Sequence, residues 1–278
     1  MADSFDPGQS LDGTAFAIFD VETTGLSPAY GHRICEVACL RLQGGVQIGR
    51  FESLVDPGRS ISPGAFAVNQ ITPDLLYGAP DFQLIGPDLL SLMKEAVLVA
   101  HNAAFDLGFL ATELQIADLP PPEGPVVDTL TLSRRMHNLP SHSLSAVASA
   151  LQVPEQPTHR AMGDVQTTRF ILETMLWELE RRWQVETLGQ LLAFQGGSVP
   201  YPHPRALPLP PAIAEALSVR GRVYMRYVDA RGQETERLIR PIHVSEQRGF
   251  LYLTAHCFRA GDVRTFRLDR ILEMAVED

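Results

Sequence analysis

Two carboxylates close the first apolar run of this chain. In "AIFDVETTGL", Ala17 to Leu26, the stretch from Ala15 to Phe19 gives way to Asp20, and Glu22 follows one residue later. On a strand, residues i and i+2 project to one face, so both side chains point together. "VLVAHNAAFDLGFL" (97–110) reads as a strand, a turn through His101 and Asn102, and a helix whose first turn carries Asp106. "THRAMGDVQTT" (158–168) leads into a longer helix, with His159 five residues before Asp164.

Two carboxylates about 4 Å apart at an effective dielectric of ~20 repel by about 4 kcal/mol. Four at one sheet edge stay ionised only with cations among them. Oxygen ligands without a thiolate or a second imidazole favour Mg²⁺ or Mn²⁺ over zinc. A pair of such ions suits phosphodiester hydrolysis, activating water on one side and stabilising the leaving oxygen on the other. A histidine of ordinary pKa, about 6.5, suits the general base. Spacing alone does not bring the four acids together, and each residue has a plainer role. Asp20 and Glu22 also suit a strand end, Asp106 the positive end of a helix dipole, and His159 a cap or surface position. Asp128, after the apolar "PVVDTLTL", competes as a ligand but better suits capping the next helix through the Thr129 and Leu130 amides. His137 and His142 lie in a polar turn and read as structural; His203, between prolines, reads as solvent-exposed.

The elements that must position these groups follow from the hydropathy pattern. Apolar runs ending in turn signals at 15–20, 34–42, 46–55, 96–100 and 125–128 read as strands, the first three as an antiparallel meander with Gly44-Gly45 at a turn. Helical periodicity marks 103–116, 143–152 and 161–183, where Val165, Leu172, Met175, Leu176 and Leu179 recur at three- and four-residue steps. Thr72-Pro73 is a helix start, an N-cap followed by proline. Strands first, then helices interleaved with strands, predict a mixed sheet covered by helices. Residues 1–13 are polar and read as a loose leader. "QGGSVPYPHPRALPLPP" (195–211) reads as a semi-rigid linker. Beyond it, short alternating strands in "RVYMRYV", "ETERLIR" and "GFLYLTAHC" predict a small all-β module.

The 278 residues are 45% hydrophobic, enough for one large domain or two smaller ones, and the net charge of −10 is a poor surface for non-specific grip on a duplex. Any nucleic-acid partner is therefore expected at a short end or a local patch. The segment from 211 on differs, with 11 Arg against 10 Asp plus Glu, and Lys94 is the only lysine of the chain. The N-terminus has neither a basic start nor an apolar segment, and no run of about 18 apolar residues could span a membrane. Cys35, Cys39 and Cys257 form no zinc pattern and read as buried thiols of a reducing compartment, the cytoplasm.

"FDVETTGL", "HNAAFDLGFL" and "HRAMGD" closely resemble the three motifs of the DEDD exonuclease superfamily. The histidine of the third resembles the DnaQ-like, DEDDh branch, which includes bacterial polymerase proofreading subunits and related ribonucleases. The resemblance covers about 15–180 and includes the intermediate "AFAVNQITPDLL". It implies an α/β, RNase H-like mixed sheet flanked by helices, and a 3′→5′ exonuclease domain over 14–194. Asp20, Glu22 and Asp164 would hold the cation that activates water, Asp20 would bridge to a second, and Asp106 would complete the acidic set. The cofactors would be two divalent cations, Mg²⁺ or Mn²⁺. His159 would take the proton. Thr23, Gly25 and Leu26 would lie against the terminal nucleotide, with Leu26 wedged by the base, and Asn102 would be a further substrate contact.

"QLLAF" (190–194) distantly resembles the peptide by which proofreading subunits dock on a sliding clamp; Gln190 to Phe194 equally suit an amphipathic helix end packed on the core. "RPIHVSEQRGFLYLTAHCFRAGDVRTFRLDRI" (240–271) resembles the WYL domain, a small Sm- or SH3-like β-barrel, here over 212–278, with Leu251-Tyr252-Leu253 at the W-Y-L position. That resemblance implies ligand or single-stranded nucleic-acid binding through Arg240, Tyr252, Arg264 and Arg267. Alternation sends Leu251 and Leu253 to one face and Tyr252 to the other, and leaves open which face is core.

The expected function is a metal-dependent 3′→5′ exonuclease releasing nucleoside monophosphates from single-stranded or frayed DNA or RNA 3′ ends, with the barrel holding substrate or regulating. The alternatives are a nucleotide- or single-strand-responsive binding regulator, and a proofreading subunit associated with a polymerase or clamp.

Overall fold

The computed structural model describes residues 5–28, 31–155, 159–202, 209–229, 232–247 and 250–277. His203 lies outside them. The first sheet has the order β3-β2-β1-β4-β5. β1 (Ala15–Thr23), β2 (Ile34–Gln43) and β3 (Val46–Leu54) form the antiparallel meander, turning at Gly44 and Gly45, both with positive φ. β4 (Val97–Ala100) runs parallel to β1, and β5 (Val126–Asp128) parallel to β4.

Alternation along β1 divides the core. Phe16 and Ile18 face one apolar cluster, built with Val165, Leu172 and Met175 of α7 (Ala161–Trp183). Ala17, Phe19 and Val21 face the other, built with Leu89 of α3 (Phe82–Met93) and Leu107 and Leu110 of α4 (Ala103–Ile116). The sheet is thus covered on both faces, which is why β4 reads as a continuous apolar run. The Thr72-Pro73 start holds: Thr72 Oγ1 accepts from Leu75 N at the head of the four-residue α2 (Pro73–Leu76).

The predicted leader is held in place from residue 5 onward. Phe5 and Leu11 pack on the first cluster, and Ser10 bridges to Thr187 ahead of α8 (Leu188–Gln195). The start of the predicted linker is docked as well: Ser198 Oγ accepts from Val126 N, and Val199 N donates to Val126 O, so this segment lies along β5.

The second sheet is antiparallel with the order β10-β6-β7-β8-β9, formed by β6 (Arg222–Val228), β7 (Glu234–Gln247), β8 (Phe250–Cys257), β9 (Asp262–Arg267) and β10 (Ile271–Glu277). Helix α9 (Pro211–Val219), which the proline-rich reading did not foresee, covers it through Ile213 and Ala216. The expected barrel is not closed. Among the described residues β9 and β10 are the two edges and pair with no further strand; they are joined by the 3₁₀ turn Leu268–Arg270. Leu253, Ala255 and Cys257 are buried, so Tyr252 takes the outer face.

Candidate active site

The parallel strands β1 and β4 end at one sheet edge, and the acids gather there. This carboxyl edge is where open α/β sheets leave a crevice for ligands. Asp20 and Glu22 project from β1 to the α7 side. Asp164, in the first turn of α7, meets them: single carboxylate oxygens of Asp20, Glu22 and Asp164 lie within 4.8 Å of one another. Asp106, in the first turn of α4 and 3% exposed, accepts a hydrogen bond from Val21 N at 3.2 Å, which ties it to β1 between the other two acids. One oxygen of Asp164, Oδ2, accepts from His159 N at 3.3 Å; the other, Oδ1, is buried without a hydrogen-bond partner.

The electrostatics follow from this crowding. Burial, then Asp106, Glu22 and Asp164, push the Asp20 carboxyl well above its usual range. Burial, with Asp164 and Glu36 adding repulsion, raises Glu22 from 4.5 to about 7, against the Asn69 amide and Arg160. Asp106 and Asp164 are also raised, chiefly by burial, each opposed first by a backbone N–H, from Val21 and His159 respectively. Buried carboxylates that repel one another, with an orphaned oxygen among them, fit a hard divalent cation bound through oxygen.

His159 is exposed beside Asp164 with φ of 64°, a left-handed conformation uncommon outside glycine. An ion pair between exposed Arg160 and buried Glu36 holds the segment. Arg160 forks onto Glu36 of β2, its Nη2 2.6 Å from Oε1, and Ala161 N donates to Glu36 Oε2 at 3.1 Å. Glu36 is 1% exposed and pairs across the ladder with Glu22. Sequence reading passed over Glu36 and Arg160, although an acid inside the apolar "ICEVACL" signals a buried, paired charge. Asn69 was also missed: its Nδ2 donates to Thr23 O at 3.2 Å and closes the end of β1.

The loop after β1 is shaped by its own side chains. Thr23 is buried and donates from Oγ1 to Gly25 O at 2.7 Å. A Cβ on Gly25 would lie 2.3 Å from the His32 ring, so only glycine fits. Leu26 stands 84% exposed. Asn102 begins α4 in a left-handed conformation and is exposed, its side chain making no capping bond. Asp128 caps α5 (Thr129–Met136), through the Leu130 and Thr131 amides rather than those of Thr129 and Leu130, and also accepts from Asn102 N at 2.8 Å. It therefore fixes the start of the helix that carries Asp106. His142 Nδ1 lies 2.7 Å from Ser133 Oγ, and His137 Nε2 3.7 Å from a Glu178 oxygen, both within the fold.

Gln190 to Phe194 lie in α8. Gln190 completes a capping box with Thr187, Leu191 is buried, and Phe194 packs edge-on against Trp183. The packed-helix alternative describes this segment.

The four residues named for the second sheet do not gather into one site. Arg267 is opposite Tyr252 but bound by Asp269. Arg240 is opposite His256, four residues or about 13 Å along β8 from Tyr252, and lies over the Phe258 ring. Arg264 faces the other way, opposite Ala255.

Residues 17–172 match the RNase_T family model, described as Exonuclease, and residues 209–276 match the WYL domain model. The DNA polymerase III PolC-type of Halalkalibacterium halodurans is 36% identical over 168 residues, covering 60% of this chain and 12% of that protein. That of Bacillus subtilis is 34% identical over 193 residues, covering 66% and 13%. The chain thus spans about an eighth of the length of these relatives. Among solved structures, exonuclease X in complex with 5′-overhanging duplex DNA is 26% identical with a TM-score of 0.51, covering 65% of this chain and 99% of that one. E. coli exonuclease I in complex with a dA16 oligonucleotide has a TM-score of 0.56 at 18% identity, covering 87% and 55%, a likeness of fold. Among the described residues no helix is long and apolar enough to cross a membrane. With the Exonuclease model matching more than half of the chain, and the motif acids meeting where the first sheet ends, the chain belongs to the DnaQ-like exonuclease family and carries a WYL domain after it.

Proposed function

We propose that the chain is a 3′→5′ exonuclease that removes nucleoside monophosphates from single-stranded or frayed ends. The observation that supports this most is the convergence of Asp20, Glu22 and Asp164 on one point, with Asp106 and His159 beside them. Asp20, Glu22, Asp164 and Asp106 would hold two divalent cations, Mg²⁺ or Mn²⁺, which would supply positive charge for a nucleophilic water and for the leaving oxygen. His159 takes a proton from that water. The oxygen of the water bonds to the terminal phosphorus, the bond from that phosphorus to the preceding 3′ oxygen breaks, and the leaving 3′ oxygen takes up a proton from solvent. Glu36 and Arg160 hold His159 and Asp164 in register, Asp106 braces β1, and the Thr23–Leu26 loop receives the terminal nucleotide. DNA is the first substrate to test, because the relatives are DNA polymerases and exonuclease X was solved with DNA. Three free, buried cysteines are in keeping with a cytoplasmic enzyme.

The test is incubation of 5′-labelled single-stranded DNA and RNA with Mg²⁺, Mn²⁺ or chelator, beside Asp20→Asn. A metal-dependent ladder shortening from the 3′ end, absent in the variant, is expected. Binding without any shortening would refute the reading and favour a regulator that recognises ends. The PolC relatives favour a second reading, association with a polymerase. Failure to co-purify with one would remove it.

A further inference from the structure

The second sheet is set directly against the loop that follows β1. A Cβ on Gly31 would fall 1.7 Å from Asp269 Cα, so the two backbones touch there. Arg59 donates to the carbonyl oxygens of both Gly31 and Ile271, which fixes edge strand β10 beside this loop. Between them opens a groove of about 420 Å³, within the small-ligand range. One wall is the start of α1 (Pro63–Asn69), at Pro63, Gly64 and Ala65; the other is β10, at Leu272 and Met274; Leu26 stands at its side.

The chemistry of the groove is apolar. His32 lines it uncharged, because burial and the nearby Arg59 push its pKa down to about 3. The charged Glu273 is paired with Arg226. A surface of this kind does not hold phosphates. It suits flat, uncharged faces: nucleobases pack against apolar side chains, and a methionine sulfur is favourable against an aromatic ring. The groove is continuous with Leu26, and the net charge of −10 offers little electrostatic hold on a strand, so such contacts have to supply it.

We propose that this groove takes a base upstream of the terminal nucleotide, so that β10 of the WYL domain forms one wall of the path of a single strand. The proposal rests on the exonuclease reading and assigns the strand its route. It places the contact on Leu272 and Met274 rather than on Tyr252 of β8, Arg240 of β7 and the arginines of β9.

Gly64 permits a clean block. Nothing lies within 4 Å of where its Cβ would sit, so a side chain there enters the groove without striking the fold. The probe is a labelled 12-nucleotide single-stranded DNA, with an RNA of the same length beside it, bound in chelator so that no hydrolysis occurs. Gly64→Leu is expected to weaken binding about 5-fold or more, as loss of a base contact does, with an unchanged melting temperature; Met274, which also packs on the core of the second sheet, is left as it is. Hydrolysis of the p-nitrophenyl ester of thymidine 5′-monophosphate, which has no upstream base, reports separately on the acidic site. Unchanged affinity in Gly64→Leu overturns the groove. An inert ester overturns the nuclease reading and leaves the groove to the binding result. A dimer that Gly64→Leu dissociates would make the groove a contact between copies and likewise overturn the proposal.

Discussion

Glu22 is the acid whose displacement can be turned into a stability. Its carboxyl rises from 4.5 to about 7 in the folded chain, through burial and the charges of Asp164 and Glu36. Between those values the folded state holds a proton that the unfolded chain has released. The contribution is therefore fully favourable below pH 4.5 and is lost as pH rises through 7. The shift corresponds to about 3 kcal/mol at pH 8. Glu22→Gln keeps the shape and the Asn69 contact but never carries the charge. In chelator at pH 8 it should melt higher than the parent by up to about 6–12 °C, and at pH 4 the two should coincide. Excess Mg²⁺ should raise the parent and not the variant, narrowing or reversing the gap, because the cation satisfies the charge that the variant lacks. Calorimetry at the two pH values, with and without Mg²⁺, reads all of this. A variant that melts lower than the parent at pH 8 in chelator would show that Glu22 is not held against its electrostatic preference, and the account of the cluster as a cation site would fail with it.

His159→Ala should lower turnover by about 10²–10⁴ and leave the Mg²⁺ affinity measured by calorimetry nearly unchanged; full activity across pH would remove the general base. Glu36→Gln should destabilise the fold by about 1–3 kcal/mol in denaturant unfolding and lower turnover, since it loosens the Arg160 fork beneath His159; unchanged turnover would leave the pair with a purely structural role. Gly25→Ala should raise KM for oligonucleotides, because its Cβ meets the His32 ring and displaces the loop; parental kinetics would show that the loop does not touch substrate.

Where a residue's role depends on its near neighbours, the chain could be read directly. Alternation in "AIFDVET" put Asp20 and Glu22 on one face of β1, and the 161–183 periodicity described α7 to its ends. Three motifs in order hold all four acids and His159. Local reading failed where the partner is distant. Glu36 and Arg160 are 124 residues apart, and only their meeting turns a lone acid in an apolar strand into the anchor of the His159 segment. Asn69 and Asp128 likewise became supports of the site only once β1, α4 and β5 were packed side by side. The expected barrel failed for a related reason: alternation specifies strands, but closure depends on whether the last strand reaches the edge of β9, and β10 lies instead on β6 with its free side toward Leu26. Residue types and spacing determined the chemistry this chain can hold. The tertiary structure decided what that chemistry rests on and which surface stands beside it, because burial and long-range pairing exist only after the chain has folded.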